Sequence, residues 1–388
     1  MGKNSYRLLL IGSLDSDHIR RFILHLKQVN PEALIDLFCW QLLKPVPSDV
    51  MSGLESLTTV RQPSGIVSRI PLIRSTASRI RYTNALKKAV RGKSYDIINL
   101  HYPSPRDLFI IPVLKNTGAK IVFTPWGSDV LRLKGRIPLK KLRKLYAAAD
   151  YVTGIKGRFM NSVVDITGAD PGKILEVGIG SDILDYFFAN GDTITRKDAK
   201  EAFGLSGSYV ITCGYNGYAC QRHKTIIESV AKVRDRLLED LVLVFPFTYG
   251  AKKGYQEELE ALLASHALKG LFVTDYLTLD RLLLLRKCAD MFIHIQPTDA
   301  NSSSVKEYVI CGAKVLHGDW IVYDDLGSGK DKPYFPVPDI ASLPDVILDA
   351  YDADAPLVGE GVLDKLRKEG WNECIIGWDN VFNSLASR

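Results

Sequence analysis

The segment from Ile295 to Tyr323 holds two carboxylates, Asp299 and Glu307, separated by seven residues. Asp299 falls in a polar turn after an apolar strand. Glu307 falls two turns along a short amphipathic helix, which stops at Cys311-Gly312 before a second apolar strand. Between the acids come Asn301, Ser302, Ser303 and Ser304, small polar residues suited to a helix start. The amino end of a helix offers unpaired N–H groups and partial positive charge, which suits a phosphate or a ring of hydroxyls. An acid beside it can take sugar hydroxyls, and an acid further in can take a ribose. The same residues also read as an N-cap followed by a solvated helical Glu.

The pattern resembles the acid-x7-acid motif of retaining glycosyltransferases with the GT-B fold, close to glycosyltransferase family 4. There the motif is Glu-x7-Glu and a short run ending in Cys-Gly. Glu307, Tyr308, Val309, Ile310, Cys311 and Gly312 match its second half. In the first half Asp299 stands where Glu is usual, and Ala300, Asn301 and Ser302 replace Gly-Phe-Gly. The resemblance implies an α/β chain with two Rossmann-like, doubly wound domains facing a central cleft that closes on binding. It implies transfer of a sugar, with retention, from a nucleotide-diphosphate donor to a glycan or a polyprenyl-linked acceptor, as in bacterial surface polysaccharide synthesis. Glu307 would hold the ribose. Asp299 and the amides near Asn301, Ser302 and Ser303 would hold the sugar. The leaving phosphate would deprotonate the acceptor, without a protein base.

Elements able to position these groups alternate along the chain. Apolar strands are expected at 7–11, 34–38, 96–100, 120–124, 150–155 and 173–177, then at 209–213, 241–245, 271–274, 291–295 and 314–316. Helical stretches lie between them, so parallel sheets covered by helices follow. The length, 388 residues, favours two cores. The Gly-bearing stretch 177–193 marks the junction, where Gly178, Ser181, Asp182 and Phe187 resemble a family segment. The expected division is 1–185 on the acceptor side, 186–368 on the nucleotide-sugar side, and 369–388 as a helix crossing back to the first domain. Trp371, Trp378 and Phe382 read as packing anchors of that helix.

Further candidates sit in turns after the strands. Gly12 and Ser13 would let backbone approach the donor diphosphate, and His18 and Arg20 open the next helix. His101 and Tyr102 follow a strand, where open α/β sheets bind ligands. Thr124–Asp129 resembles the family's T-x-H-G-x-D turn, with Trp126 where His is common; Asp129 either caps the next helix or faces the acceptor. The turn Gly214–Gly217 resembles the family's diphosphate grip, with Tyr215 in the Arg slot and Asn216 and Gly217 shaping the loop. Arg222 and Lys224 are the basic candidates for the diphosphate. Tyr276 and Leu277 would flank the base. His294 is either a satisfied core histidine or a contact. Pro246–Gly250 weakly resembles bacterial 4-acetamido-4,6-dideoxygalactose transferases.

No carboxylate or histidine spacing typical of a metal site occurs, so a metal-free mechanism without a cofactor is expected. Six cysteines without a C-x-x-C pair suit reduced thiols in a cytosolic setting. Gly2 lacks the Ser or Thr that myristoylation needs, since Tyr6 stands in that place. Residues 1–190 carry 28 Lys and Arg against 15 Asp and Glu, a net of +13, and the remainder is −7. Segments 69–93 and 132–146 mix the bases with Leu, Ile and Tyr, as helices on an anionic membrane do. A cytoplasmic protein, peripheral at the inner face of the cell membrane, is the expectation. Nucleic-acid modules are absent from the sequence. The rival functions are a nucleotide-sugar epimerase on the same fold and a non-catalytic membrane-surface or scaffolding module.

Overall fold

The computed structural model describes residues 5–42, 45–62, 71–327 and 332–387, with only the backbone of Pro71 and Leu72. Gly2 and the start of the first basic segment, Arg69 and Ile70, lie outside the described residues. The chain forms two compact units, one of Met1–Gly180 with Trp371–Arg388 and one of Ser181–Gly370.

The first unit contains a seven-stranded sheet. Its strands are β1 (Arg7–Ile11), β2 (Leu34–Trp40), β3 (Ser56–Val60), β4 (Ile97–His101), β5 (Lys120–Thr124), β6 (Tyr151–Thr153) and β7 (Ile174–Leu175). They pair in parallel in the order β3-β2-β1-β4-β5-β6-β7. Both faces are covered, so the central strands are unbroken apolar runs rather than alternating ones. On one face the helix Asp17–Val29 buries Ile19, Phe22, Ile23 and Leu26, spaced at helical period.

The helix Trp371–Ala386 packs against the same face. The Phe22 and Trp378 rings meet edge to face at 5.0 Å, and the Trp378 indole N–H donates to the Gly178 carbonyl at 2.7 Å. Tyr6 Oη and Asn30 Nδ2 both donate to Asp379. Trp371, Trp378 and Phe382 are thus core residues of the first unit.

The second unit contains six parallel strands: β8 (Tyr209–Cys213), β9 (Leu241–Pro246), β10 (Lys269–Val273), β11 (Met291–His294), β12 (Lys314–Gly318) and β13 (Phe335–Val337). Their order is β10-β9-β8-β11-β12-β13. Each sheet therefore reverses its winding once, between β1 and β4 and between β8 and β11. Ligands of open α/β sheets bind outside the carboxyl ends of strands at such points.

Two strands were not expected. β3 is mostly polar at a sheet edge, with Leu57 and Val60 its apolar residues, and β13 contains Pro336, tolerated because β13 is also an edge. The strands expected at 150–155 and 173–177 shorten to β6 and β7 at the opposite edge. Among the described residues no helix is long and apolar enough to cross a membrane.

Candidate functional site

In the second unit the carboxyl ends of β8 and β11 bring most of the expected residues together. After β11 the chain runs through Ile295, Gln296 and Pro297 to Asp299, turns at Asn301 with φ +93°, and enters the helix Ser303–Ile310. Ser302 caps that helix, its Oγ accepting from Ser304 N–H, and donates its own N–H to Tyr323 Oη at 3.0 Å.

Asp299 is buried at its carboxylate, which is 7% exposed. Oδ2 accepts from Tyr215 Oη at 3.1 Å, from His294 Nε2 at 3.0 Å and from the Gln296 amide. Oδ1 accepts the Ala300 N–H at 2.6 Å. Burial alone would raise this acid, but hydrogen bonds from His294, Tyr215 and Ala300 outweigh it and hold Asp299 below the usual carboxylate range. Tyr215, in the slot where the family carries Arg, is thus a partner of Asp299. Burial, with Asp299 beside it, pushes the Tyr215 phenol well above its ordinary range.

Glu307 is also buried. Its Oε2 accepts from Arg286 Nε at 2.9 Å, and its Oε1 accepts from Ser181 Oγ at 3.3 Å. Arg286 donates further to Tyr308 Oη at 3.0 Å and Ser304 Oγ at 3.3 Å. The reading of Glu307 as a solvated helical acid is therefore wrong: it sits in a buried ion pair. The next residue back, Lys306, is 1% exposed at its side chain and pairs with Asp325 and Glu369. Burial opposes the Lys306 charge, but the two acids raise it above the ordinary lysine range. Burial, opposed by Lys306, moves Glu369 up to about 8, whereas Lys306 outweighs burial at Asp325 and brings it to about 2.

Arg286, Lys306 and His317 escaped the sequence reading. Arg286 ends the apolar run Leu282–Leu285 and His317 follows Val315 and Leu316, which was the available signal, whereas Lys306 beside Glu307 gives none.

The loop after β8 is built on glycine. Gly214 has φ +64°, and a Cβ there would lie 2.8 Å from Gln221 Oε1. At Gly217 a Cβ would lie 2.7 Å from the Ala251 backbone nitrogen. Only glycine fits both the conformation and the close approach. Asn216 holds the loop, its Oδ1 accepting the Tyr218 N–H at 3.0 Å and its Nδ2 donating to Tyr249 Oη at 3.2 Å.

Arg222 also has positive φ, +62°, which turns the chain into the helix His223–Lys232. It donates to the Ile295 carbonyl at 3.1 Å and lies over the Trp320 ring. Beside it is an open cavity of about 270 Å³ lined by Arg222, Pro297, Trp320, Pro338, Asp339 and Ile340.

Two donor-side candidates take other roles. Lys224 forms an exposed ion pair with Glu258 at 2.7 Å, because its turn of helix faces the helix Tyr255–Ser265. Leu277 packs against the apolar cluster that includes Val210, Val242 and Leu285, whereas Tyr276 is exposed after β10.

In the first unit the turns after β1, β4 and β5 carry the acceptor-side candidates together with the donor-side Gly12 and Ser13. Gly12 packs close to Ile19, where a Cβ would lie 2.9 Å from the Ile19 side chain, and Ser13 is exposed with its Oγ accepting the Asp15 N–H. Trp126 is half-buried and meets His18, His101 and Tyr102 edge to face at 5.3, 5.9 and 6.0 Å. Tyr102 has φ +57° and is 44% exposed, with its Oη 3.0 Å from Ser128 Oγ.

His101 does not serve as an open contact. It is 5% exposed, accepts the Trp126 indole N–H at Nδ1, and donates from Nε2 to Asn99 Oδ1 at 2.6 Å. Burial, aided by His18, lowers it to about 3, so it is a neutral pillar under Trp126. Asp129 lies within the helix Ser128–Leu131, whose N-cap is Gly127, so it is not the cap; it accepts the Trp126 N–H at 3.0 Å. Burial raises it to about 7 despite that N–H.

Solved structures share this architecture along nearly the whole chain. Anabaena HepE in complex with UDP and glucose superposes with TM-score 0.68 at 13% identity, over 98% of this chain and 100% of that one. The chain has the GT-B fold. Two further neighbours are a glycosyltransferase from Rickettsia africae, with TM-score 0.71 at 15% identity, and the sucrose-phosphate synthase of Thermosynechococcus elongatus, with TM-score 0.71 at 13% identity. Each covers 98% of this chain and 99% of its own. Residues 7–154 of this GT-B chain match the family described as glycosyl transferase 4-like, in line with the resemblance drawn from the motifs. Comparison with curated proteins finds no match.

Proposed function

We propose that the chain is a glycosyltransferase whose second unit holds a nucleotide-diphosphate sugar. The supporting observation is what meets at the switch point between β8 and β11. A glycine turn, the amino end of a capped helix and a buried acid on that helix converge there. Binding of UDP and glucose by HepE, on the same fold, supports this donor class.

In this reading the diphosphate rests against the Gly214–Gly217 backbone and the start of the helix Ser303–Ile310. Arg222 and the helix dipole offset its charge as it leaves, without a metal. Arg286 and Ser181 occupy two of the roughly four lone-pair sites of the Glu307 carboxylate, which leaves acceptor capacity for ribose hydroxyls. Asp299 and the amides after it take the sugar. The anomeric configuration is retained, and the leaving phosphate accepts the acceptor's proton.

The acceptor is a glycan or a lipid-linked sugar, received by the first unit at the aromatic surface of His18, Tyr102 and Trp126. The helix Arg136–Tyr146 supports contact with an anionic membrane. It buries Leu142, Leu145 and Tyr146 and exposes Arg136, Lys140, Lys141, Arg143 and Lys144 beside Ile137, which is 70% exposed.

The test is incubation with a panel of nucleotide sugars, with and without lipid-linked acceptors. Slow release of nucleoside diphosphate supports the transferase. A free epimer would favour an epimerase instead, and silence with every donor and acceptor would favour a non-catalytic module.

A further inference from the structure

His294, at the end of β11, is fully buried and bonded at both ring nitrogens. Its Nδ1 lies 2.9 Å from His317 Nδ1 on β12, and its Nε2 lies 3.0 Å from Asp299 Oδ2. His317 Nε2 lies 3.0 Å from the Ile321 carbonyl.

A carbonyl only accepts, so His317 carries its proton on Nε2. Burial, with His294 beside it, lowers His317 to about 3, so that ring is neutral and its Nδ1 is bare. A bare Nδ1 accepts, and His294 Nδ1 must donate to it. At the other side Asp299 is an anion and also accepts. His294 Nδ1 therefore donates to His317 Nδ1, its Nε2 lies against the Asp299 carboxylate, and hydrogen bonds join the row from Asp299 through His294 and His317 to Ile321.

The row ends where the donor site begins. Asp299 accepts the Ala300 N–H, and the left-handed Asn301 and the capping Ser302 follow at once. Ser302 N–H is held by Tyr323 Oη, and the Tyr323 ring lies 4.8 Å from that of His317. Tyr215 and Phe292 stack on His294 at 5.8 and 6.2 Å and restrict its tilt. Among the described residues, the titratable groups facing His294 are Tyr215, Asp299, His317 and Tyr323.

We propose that His294 is a positioning residue of the donor site: clamped between His317 and Asp299, it fixes the 299–302 turn and so aims the amino end of the helix Ser303–Ile310 at a nucleoside diphosphate. This rests on the donor-site reading above. It also assigns Asp299 a first duty to the turn and only a second to the sugar.

Two variants and one spectrum test it. His294→Phe keeps the ring stacks and removes both hydrogen bonds, and His294→Gln keeps one donor for Asp299 without the bridge to His317. Calorimetric titration with UDP, GDP and dTDP is run on wild type and both variants. For whichever nucleotide the wild type binds, Kd should rise roughly tenfold to a hundredfold in His294→Phe, the size expected for one lost charged hydrogen bond, and less in His294→Gln. Unchanged Kd in a folded variant overturns the positioning role.

A wild type that binds none of the three overturns the donor-site reading itself, a distinguishable failure. Should His294→Phe not fold, the wild type still decides. Long-range ¹H–¹⁵N spectra of its histidine rings should show His294 protonated at Nδ1 and His317 protonated only at Nε2. A bare Nδ1 on His294 overturns the proposal.

Discussion

Replacing Glu307 with Ala would do more than weaken nucleotide binding, because Glu307 has a buried partner. The Glu307 and Arg286 side chains are each 5% exposed and their charged atoms lie 2.9 Å apart. Truncating one member of such a pair leaves the other charge buried and uncompensated, at a cost of about 3–5 kcal/mol. Arg286 keeps its bonds to Tyr308 Oη and Ser304 Oγ, which favours the lower end, about 3 kcal/mol. For a unit of this size that is a fall in Tm of roughly 6–12 °C.

Arg286→Met should cost a comparable amount. The double variant Arg286→Met/Glu307→Leu should recover much of it, since replacing both charges with apolar groups of similar volume is often neutral. Denaturant unfolding of the wild type, Arg286→Met, Glu307→Leu and the double variant, followed by tryptophan fluorescence, gives the coupling energy directly. Titration of the same proteins with a nucleoside diphosphate separates the two duties of Glu307: the double variant should regain stability without regaining affinity. Additive stability losses would refute the buried-pair argument, and full affinity in the double variant would refute the ribose assignment.

Other expectations follow from single positions. Gly214→Ala combines a left-handed φ with a clash against Gln221, so it should cost on the order of 1–3 kcal/mol and weaken nucleotide binding; wild-type values for both in calorimetry would be the contrary result. Burial raises Asp129 in the folded state to about 7 from its ordinary 3.8, so between those values the folded protein binds more protons than the unfolded chain. Its contribution to stability is therefore largest at the acid end and declines as pH rises to about 7, and Asp129→Asn should flatten that decline when unfolding is compared at pH 5 and pH 8. Replacing Lys140, Lys141 and Lys144 with Gln should reduce sedimentation with anionic liposomes at low salt, each lysine contributing on the order of 1 kcal/mol near such a surface. Equal sedimentation would remove the membrane proposal.

Much of the fold was legible in the chain before any coordinates. Continuous apolar runs such as Arg7–Ile11 and Leu241–Pro246 can only be central parallel strands, because both faces must be covered. Two of the four edges were not legible in the same way: β3 and β13 are half-solvated and contain Thr or Pro, so their pattern resembles that of loops.

At the proposed site the sequence alone singled out the turn from Asp299 into the helix that carries Glu307. Spacing along one short helix placed Asp299 before it and Glu307 on it, and glycines at 214 and 217 marked where backbone must approach closely. Only the tertiary structure decided what those groups touch. Arg286, His294 and His317 come from other elements, and whether a carboxylate is open to a ligand or tied to an internal partner depends on distances across the sheet. His101 makes the same point in the first unit, where Asn99 and Trp126 consume both nitrogens of a histidine that looked available. Local pattern constrains period and turn chemistry, whereas charge pairing in a buried site is a contact between residues far apart in the chain.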